Sequence, residues 1–354
     1  MKKFFLIAAA AALVLSSCSK NNVSENTSES NLIGFSSYTG RSVTKADGSF
    51  VPSTSPALPS NGAFGVYCYN SGNTDFTTES TIAPNFMSNV PVTYNGSGKD
   101  DAANYTYMPT RYWPSDGANN KLSFYAYYPH GGAGIAPTVT SGLGSYLFTV
   151  QSAIANQVDF MLSDLVANQT YTSNSAKNGQ VDLQFHHMLT QVRFLAKTDK
   201  DYNNGTQEQT TIIITGLQLT GVNSVATLTA KNQTWGAATT PNNFTVLMAS
   251  DVAKRTLTTA AKDFTANNDT PNSETLLMVP QTIPTTAQLV VTFTYQTTGM
   301  TEPVTETKTI PLSTSRLTAW AKNQNIVYTI SLGLKAITFT ATVSNWEDET
   351  SIAL

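Results

Sequence analysis

Strict alternation of apolar and polar residues governs the second half of the chain. Leu289, Val291, Phe293 and Tyr295 fall on one face, with Thr292 and Thr294 on the other. Ile326, Tyr328, Ile330 and Leu332 repeat the pattern, as do Ile337, Phe339, Ala341 and Val343 against Thr338, Thr340 and Thr342. A period of two with one wet face predicts antiparallel sandwich strands. Across 212–219 the apolar phase slips at Gly216, which predicts a bulge there. The first half is richer in aromatics. Runs at 63–69, 122–128 and 146–150, bounded by Gly, Pro or Asn, predict strands, and 32–35 is the first strand-like piece. Prolines demote 105–114 to edge strands and turns. Helical signals are confined to 249–257 and 316–322, a turn or two each. The polar stretch 171–180 reads as a loop between units. The fold expected is all-β, two β-sandwich domains in series, spanning 32–178 and 179–354.

The N-terminus follows another logic. Lys2 and Lys3 precede an almost unbroken apolar stretch at 4–15, then Leu15-Ser16-Ser17-Cys18. The stretch is too short for a spanning helix, which needs roughly 20 residues. It reads as a signal peptide over 1–17, excluded from the fold. A small-small-Cys ending is what a lipoprotein signal peptidase reads, because the thiol must carry lipid before the cut frees its amine. Cys18 is therefore the expected lipidation site. No later segment suits a transmembrane helix, so the lipid would be the sole anchor, in the outer membrane at the cell surface. Residues 18–31, mostly Ser, Asn, Glu and Thr, cannot bury a core and read as a flexible tether. With Cys18 acylated, Cys68 lacks a disulfide partner and is expected as a small buried strand residue.

Charged residues make up 12% of the chain, about half the usual share of roughly 25%. Thr, Asn, Ser, Gly, Tyr and Phe replace them, the balance of an extracellular all-β protein. Without Lys2 and Lys3, 18 basic side chains face 23 acidic ones. There is no basic patch, which excludes nucleic acid as a partner. Catalytic patterns are missing as well. His186 and His187 are adjacent and point to opposite faces of a strand, so they cannot share a metal. The chain contains no phosphate loop, HExxH, zinc spacing or Gly-x-Ser-x-Gly. No enzymatic activity, metal or cofactor is expected. The segment from Tyr38 to Gly48 is polar and Gly-punctuated, and offers Arg41 and Lys45 to a trypsin-like protease.

A set of short motifs runs in order along nearly the whole precursor. It begins with the lipobox at Cys18, Ile33-Gly-Phe35, Thr44-Lys45-Ala46 and Tyr112-Trp113-Pro114. Leu122-Ser-Phe-Tyr-Ala-Tyr-Tyr-Pro129, Asp159-Phe-Met161 and Val181-Asp-Leu-Gln-Phe-His-His187 follow, the last leading into Leu189-Thr-Gln-Val-Arg-Phe194. Trp320-Ala-Lys-Asn323, Tyr328-Thr-Ile-Ser-Leu332 and the run from Ile337 to Trp346 close it. In this order the motifs resemble the fimbrillin superfamily, lipoprotein pilins and accessory pilins of Bacteroides-type bacteria.

The resemblance implies two tandem transthyretin-like β-sandwich domains and a subunit of an adhesive fimbrium. It also implies that a trypsin-like protease removes the first strand, here within 32–45, cutting after Arg41 or Lys45. The family commonly has Arg before the new N-terminus, whereas Lys45 precedes Ala46 here. Loss of the strand would open an apolar groove, to be filled by the C-terminal strand of a neighbouring subunit. The donor implied is 337–354, with Ile337, Phe339, Ala341 and Val343 as groove-filling side chains. The partners implied are other copies of the chain or related fimbrial subunits, the outer-membrane lipid, and surface glycans or proteins. The competing expectation is a permanently lipid-anchored, glycan-binding surface lipoprotein, motivated by the Tyr and Trp content.

Overall fold

The computed structural model describes residues 31–39, 43–44, 50–51, 61–96, 104–116, 119–175, 178–205, 208–266, 275–313, 317–334, 337–346 and 351–353. The architecture is all-β and built on three large sheets. In the first, strands run in the order Gly34–Thr39, Gln180–His187, Met161–Ser163, Leu122–Tyr128, Ala63–Asn70, Met87–Tyr94, Tyr105–Tyr107, and Val166–Gln169 also pairs with Leu122–Tyr128. The aromatic runs explain why this sheet is buried on both faces. Phe64, Val66, Cys68, Phe124 and Ala126 point into one core, and Tyr67, Tyr69, Tyr125 and Tyr127 into another. Cys68 is fully buried, as its strand position predicts.

The second half forms a sandwich of two sheets. One has the order Leu276–Met278, Thr190–Thr198, Gln324–Leu332, Ile337–Asn345, Ser351–Ala353. The other has Val304–Pro311, Gln288–Thr297, Thr210–Thr229, Ser145–Thr149, Ile135–Thr138, with Thr239–Val246 and Thr234–Trp235 also on the long strand. The alternating faces read from the sequence meet between them: Val192, Phe194, Ile326, Tyr328 and Ile330 pack in one core with Ile212, Ile214, Leu289, Val291 and Phe293. The register of the long strand shifts between Ile214 and Gly216, where the apolar phase slips. Most pairings are antiparallel. Among the described residues two are parallel, Gly34–Thr39 with Gln180–His187 and Thr190–Thr198 with Gln324–Leu332.

The sheets do not divide at 178/179. Gln180–His187, expected to open the second unit, pairs with Gly34–Thr39 and Met161–Ser163 in the first sheet. Conversely, Ser145–Thr149 pairs with the far end of Thr210–Thr229. The expected boundary loop is a local connection instead. Thr170 caps a one-turn helix, Tyr171–Asn174, and Val181, Leu183 and Phe185 then complete the first core. The chain leaves that sheet at Met188 and Leu189, both fully buried. Of the two helical stretches expected, 249–257 yields Val252–Arg255, capped by Asp251. In 316–322 the described residues instead form a short strand, Ala319–Trp320, paired with Gln281–Thr282. Pairing with a neighbouring strand outweighs a weak helical preference.

Candidate functional site

The first strand closes the first sheet on itself. Along one side Gly34–Thr39 is hydrogen-bonded to Gln180–His187. Along its other side it meets the opposite edge of the sheet through side chains and isolated bonds. The hydroxyls of Ser37 and Tyr105 lie 2.7 Å apart, and Tyr107 Oη donates to the Ile33 carbonyl at 2.8 Å. Ile33 N donates to Arg111 O at 3.0 Å, and Trp113 N to Asn31 O at 2.8 Å. Ile33 and Phe35 supply the apolar filling. Phe35, 1% exposed, sits edge-on to Phe64, Tyr107 and Phe124 at 6.1, 5.4 and 6.0 Å. Removing this strand would leave a groove floored by those three rings and flanked by an unpaired strand edge. The expectation at 32–35 located the strand's start; the structure extends it through Ser36, Ser37, Tyr38 and Thr39.

Electrostatics agree with a dry seam. Burial pushes the Tyr107 phenol up to about 12. Tyr38 is also raised to about 12, first by burial and then by Asp182 and Asp164. Gly179 anchors the strand's entry: its carbonyl accepts from Trp113 Nε1 at 2.9 Å and Gly34 N at 3.3 Å. Its φ is +81°, and a Cβ there would lie 2.8 Å from both Leu32 O and Trp113 Nε1. Tyr105, Tyr107, Trp113 and Gly179 went unnoticed in the sequence as parts of this site, since their role depends on the sheet curling round.

At the other end of the chain, Ile337–Asn345 lies against Gln324–Leu332 in full register. Ile337, Phe339, Ala341 and Val343 stand opposite Leu332, Ile330, Tyr328 and Ile326, so all four expected donor residues share the inward face. Phe339 packs edge-on to Tyr328 at 5.6 Å. Of the four, Ala341 is buried and the other three are partly buried. This strand therefore closes its own sandwich, but less tightly than Gly34–Thr39 closes the first sheet. Cys18, Arg41 and Lys45 lie outside the described residues, as does the tether but for Asn31.

The histidines do separate jobs. His186 Nε2 lies 3.0 Å from Asp164 and His187 Nδ1 2.8 Å from Asp159, on opposite faces of one strand. Among the described residues no three His, Cys, Asp or Glu side chains are placed to hold a metal, and no helix is long and apolar enough to cross a membrane.

Comparison with known proteins gives this arrangement a context. A family profile described as fimbrillin-like matches residues 51–346. A solved fimbrial protein from Bacteroides vulgatus is similar over 89% of this chain and 99% of its own, with 21% identity and a TM-score of 0.63. A solved cell adhesion protein from Bacteroides uniformis is similar over 89% and 97%, with 16% identity and a TM-score of 0.50. These likenesses show a shared fold. No curated protein matches the chain.

Proposed function

The chain belongs to the fimbrillin-like family, and on that premise we propose that it is a surface fimbrial subunit, exported as a lipoprotein and assembled by strand exchange. One observation carries the reading. The first sheet is completed by a strand held on a single side by a backbone ladder, with Ile33 and Phe35 filling an aromatic cleft. Two basic residues, Arg41 and Lys45, follow that strand closely in sequence. A cut after either would separate Gly34–Thr39 covalently from the rest of the fold. An incoming strand with apolar residues at alternate positions would then regain backbone bonds and fill the pockets, the physics of strand addition. Ile337, Phe339, Ala341 and Val343 have that spacing, and the partial exposure of Ile337, Phe339 and Val343 makes this strand the more easily withdrawn. Lipid on Cys18 would hold the subunit at the outer membrane until the cut.

The test uses two forms of the protein. The chain beginning at Ala46 is expected to form stable multimers, and the same chain without 337–354 to remain monomeric. If both stay monomeric in size-exclusion chromatography, strand exchange is wrong. Mass spectrometry of the protein from cells tests processing: an N-terminus at Ser42 or Ala46 supports release, whereas a lipidated Cys18 means a permanently anchored subunit.

A further inference from the structure

The first strand and the C-terminal strand are written to one template. Ile33, Phe35 and Ser37 point inward from the first strand and are 0%, 1% and 0% exposed. Ile337, Phe339 and Ala341 point inward from Ile337–Asn345 at the same spacing and in the same N-to-C order. An isoleucine, a phenylalanine and a small residue thus recur at alternate positions. The outward positions match as well. Ser36 Oγ donates to Asp182 Oδ1 at 2.5 Å, and its counterpart Thr340 also carries a hydroxyl.

The three inward sites differ in size, so the order in which they are filled matters. Phe35 occupies a ring-walled site, with Phe64, Tyr107 and Phe124 at 6.1, 5.4 and 6.0 Å. The Ser37 site is closed by Tyr105, whose hydroxyl lies 2.7 Å from Ser37 Oγ, so a small side chain fits there and a large one does not. Inserted in the direction of the strand it replaces, with Phe339 in the ring-walled site, the donor puts Ile337 in an isoleucine site and Ala341 in a serine site. Insertion the other way about the same Phe339 exchanges the two. Ile337 would then overfill the site beside Tyr105, and Ala341 would leave the Ile33 site underfilled. Close-packed sites penalise both errors. A slip of one residue would turn Thr338, Thr340 and Thr342 into the apolar cleft. A slip of two would press Phe339 into the site of Ile33 or of Ser37.

We propose that the groove is specific for the C-terminal strand of a second copy of this chain, entering parallel to Gln180–His187 in the one register that seats Ile337, Phe339 and Ala341 in the sites of Ile33, Phe35 and Ser37. The proposal rests on the strand-exchange reading and adds to it the partner, the direction and the register. Ile337 takes over the two backbone bonds of Ile33, its N–H donating to the Arg111 carbonyl and its own carbonyl accepting from Tyr107 Oη. Thr340 comes to stand opposite Asp182, as Ser36 does.

Disulfide trapping tests the register. The chain beginning at Ala46 has Cys68 as its sole cysteine, and that residue is fully buried. One variant of that chain carries Asp182→Cys with Thr340→Cys, and a second carries Asp182→Cys with Thr338→Cys, which would meet if the strand entered the other way. Each purified variant is left to assemble, oxidised, and run on a non-reducing denaturing gel. No other subunit is present, so any ladder joins copies of this chain. The first pair is expected to give ladders that collapse on reduction, and the second at least tenfold less. Gln184→Cys with Thr342→Cys, the counterpart of Tyr38 opposite Gln184, repeats the measurement should Asp182→Cys prevent assembly. Ladders through Thr338→Cys, or multimers that neither same-direction pair can link, overturn the direction and register while leaving strand exchange standing. Absence of multimers from the unsubstituted chain sinks strand exchange itself, and this proposal with it.

Discussion

Phe35 is the residue on which the first strand's hold depends. It is 1% exposed and touches three other rings edge-on. Phe35→Ala leaves a cavity the rigid sheet cannot close, and such truncations cost about 3–5 kcal/mol. Urea denaturation of the uncut chain should show a loss of that size. The tyrosines give a second residue-scale expectation. Tyr38 and Tyr107 titrate near 12 in the folded protein against an ordinary value of 10.0. The folded state thus holds their protons more tightly than the unfolded chain does. Their contribution is complete below pH 10, and is lost as pH rises from there through about 12. Tyr67, Tyr69, Tyr125, Tyr146 and Tyr328 are also raised, chiefly by burial. Tyrosinate absorbance should therefore rise in step with loss of β-sheet circular dichroism. Ionisation of most tyrosines at ordinary values, with the fold intact, would contradict the packing described.

Among the elements, the first strand and the C-terminal strand differ in how they are held. Gly34–Thr39 has a backbone ladder on one side and a hydrogen-bonded seam on the other. Ile337–Asn345 is paired on both sides, with Gln324–Leu332 and with Ser351–Ala353, but of its inward apolar residues Ala341 alone is buried and Ile337, Phe339 and Val343 are partly exposed. Gly179 lets the first strand dock by allowing its carbonyl to face Trp113 and Gly34 at a φ that disfavours a Cβ. Gly179→Ala should speed amide hydrogen exchange in Gly34–Thr39 and leave Gln288–Thr297 unchanged. Equal acceleration in both strands would mean the seam is not an independent unit. The sequence revealed the apolar face of each strand but not its neighbours. A parallel partner 146 residues away, as for Ser36 and Asp182, leaves no local trace.

For the whole molecule, both strands are at home, so the uncut chain should elute as a monomer. Stable multimers of the uncut chain would mean that assembly does not need the groove to be opened. The two halves are joined by buried packing, through Tyr67, Tyr127, Tyr146 and Phe160 in the shared core, far more than by surface charge. The Lys231–Glu79 ion pair bridges distant segments at 2.9 Å, but its side chains are 46% and 73% exposed. Such pairs contribute roughly 0–1 kcal/mol. Glu79→Ala should leave the thermal midpoint almost unmoved, and a large drop would show that this contact matters more than its exposure allows.

The sequence by itself determined the all-β class, the inward faces of the second-half strands, the bulge at Gly216 and the separate faces of His186 and His187. Each follows from the two-residue period of an extended chain, a property local to the strand. The tertiary structure alone decided that Gln180–His187 belongs to the first sheet and that its edges meet around Phe35. Those outcomes depend on which strand edge finds which. Alternation says which way a side chain points, and only the packing of distant segments says what it points at.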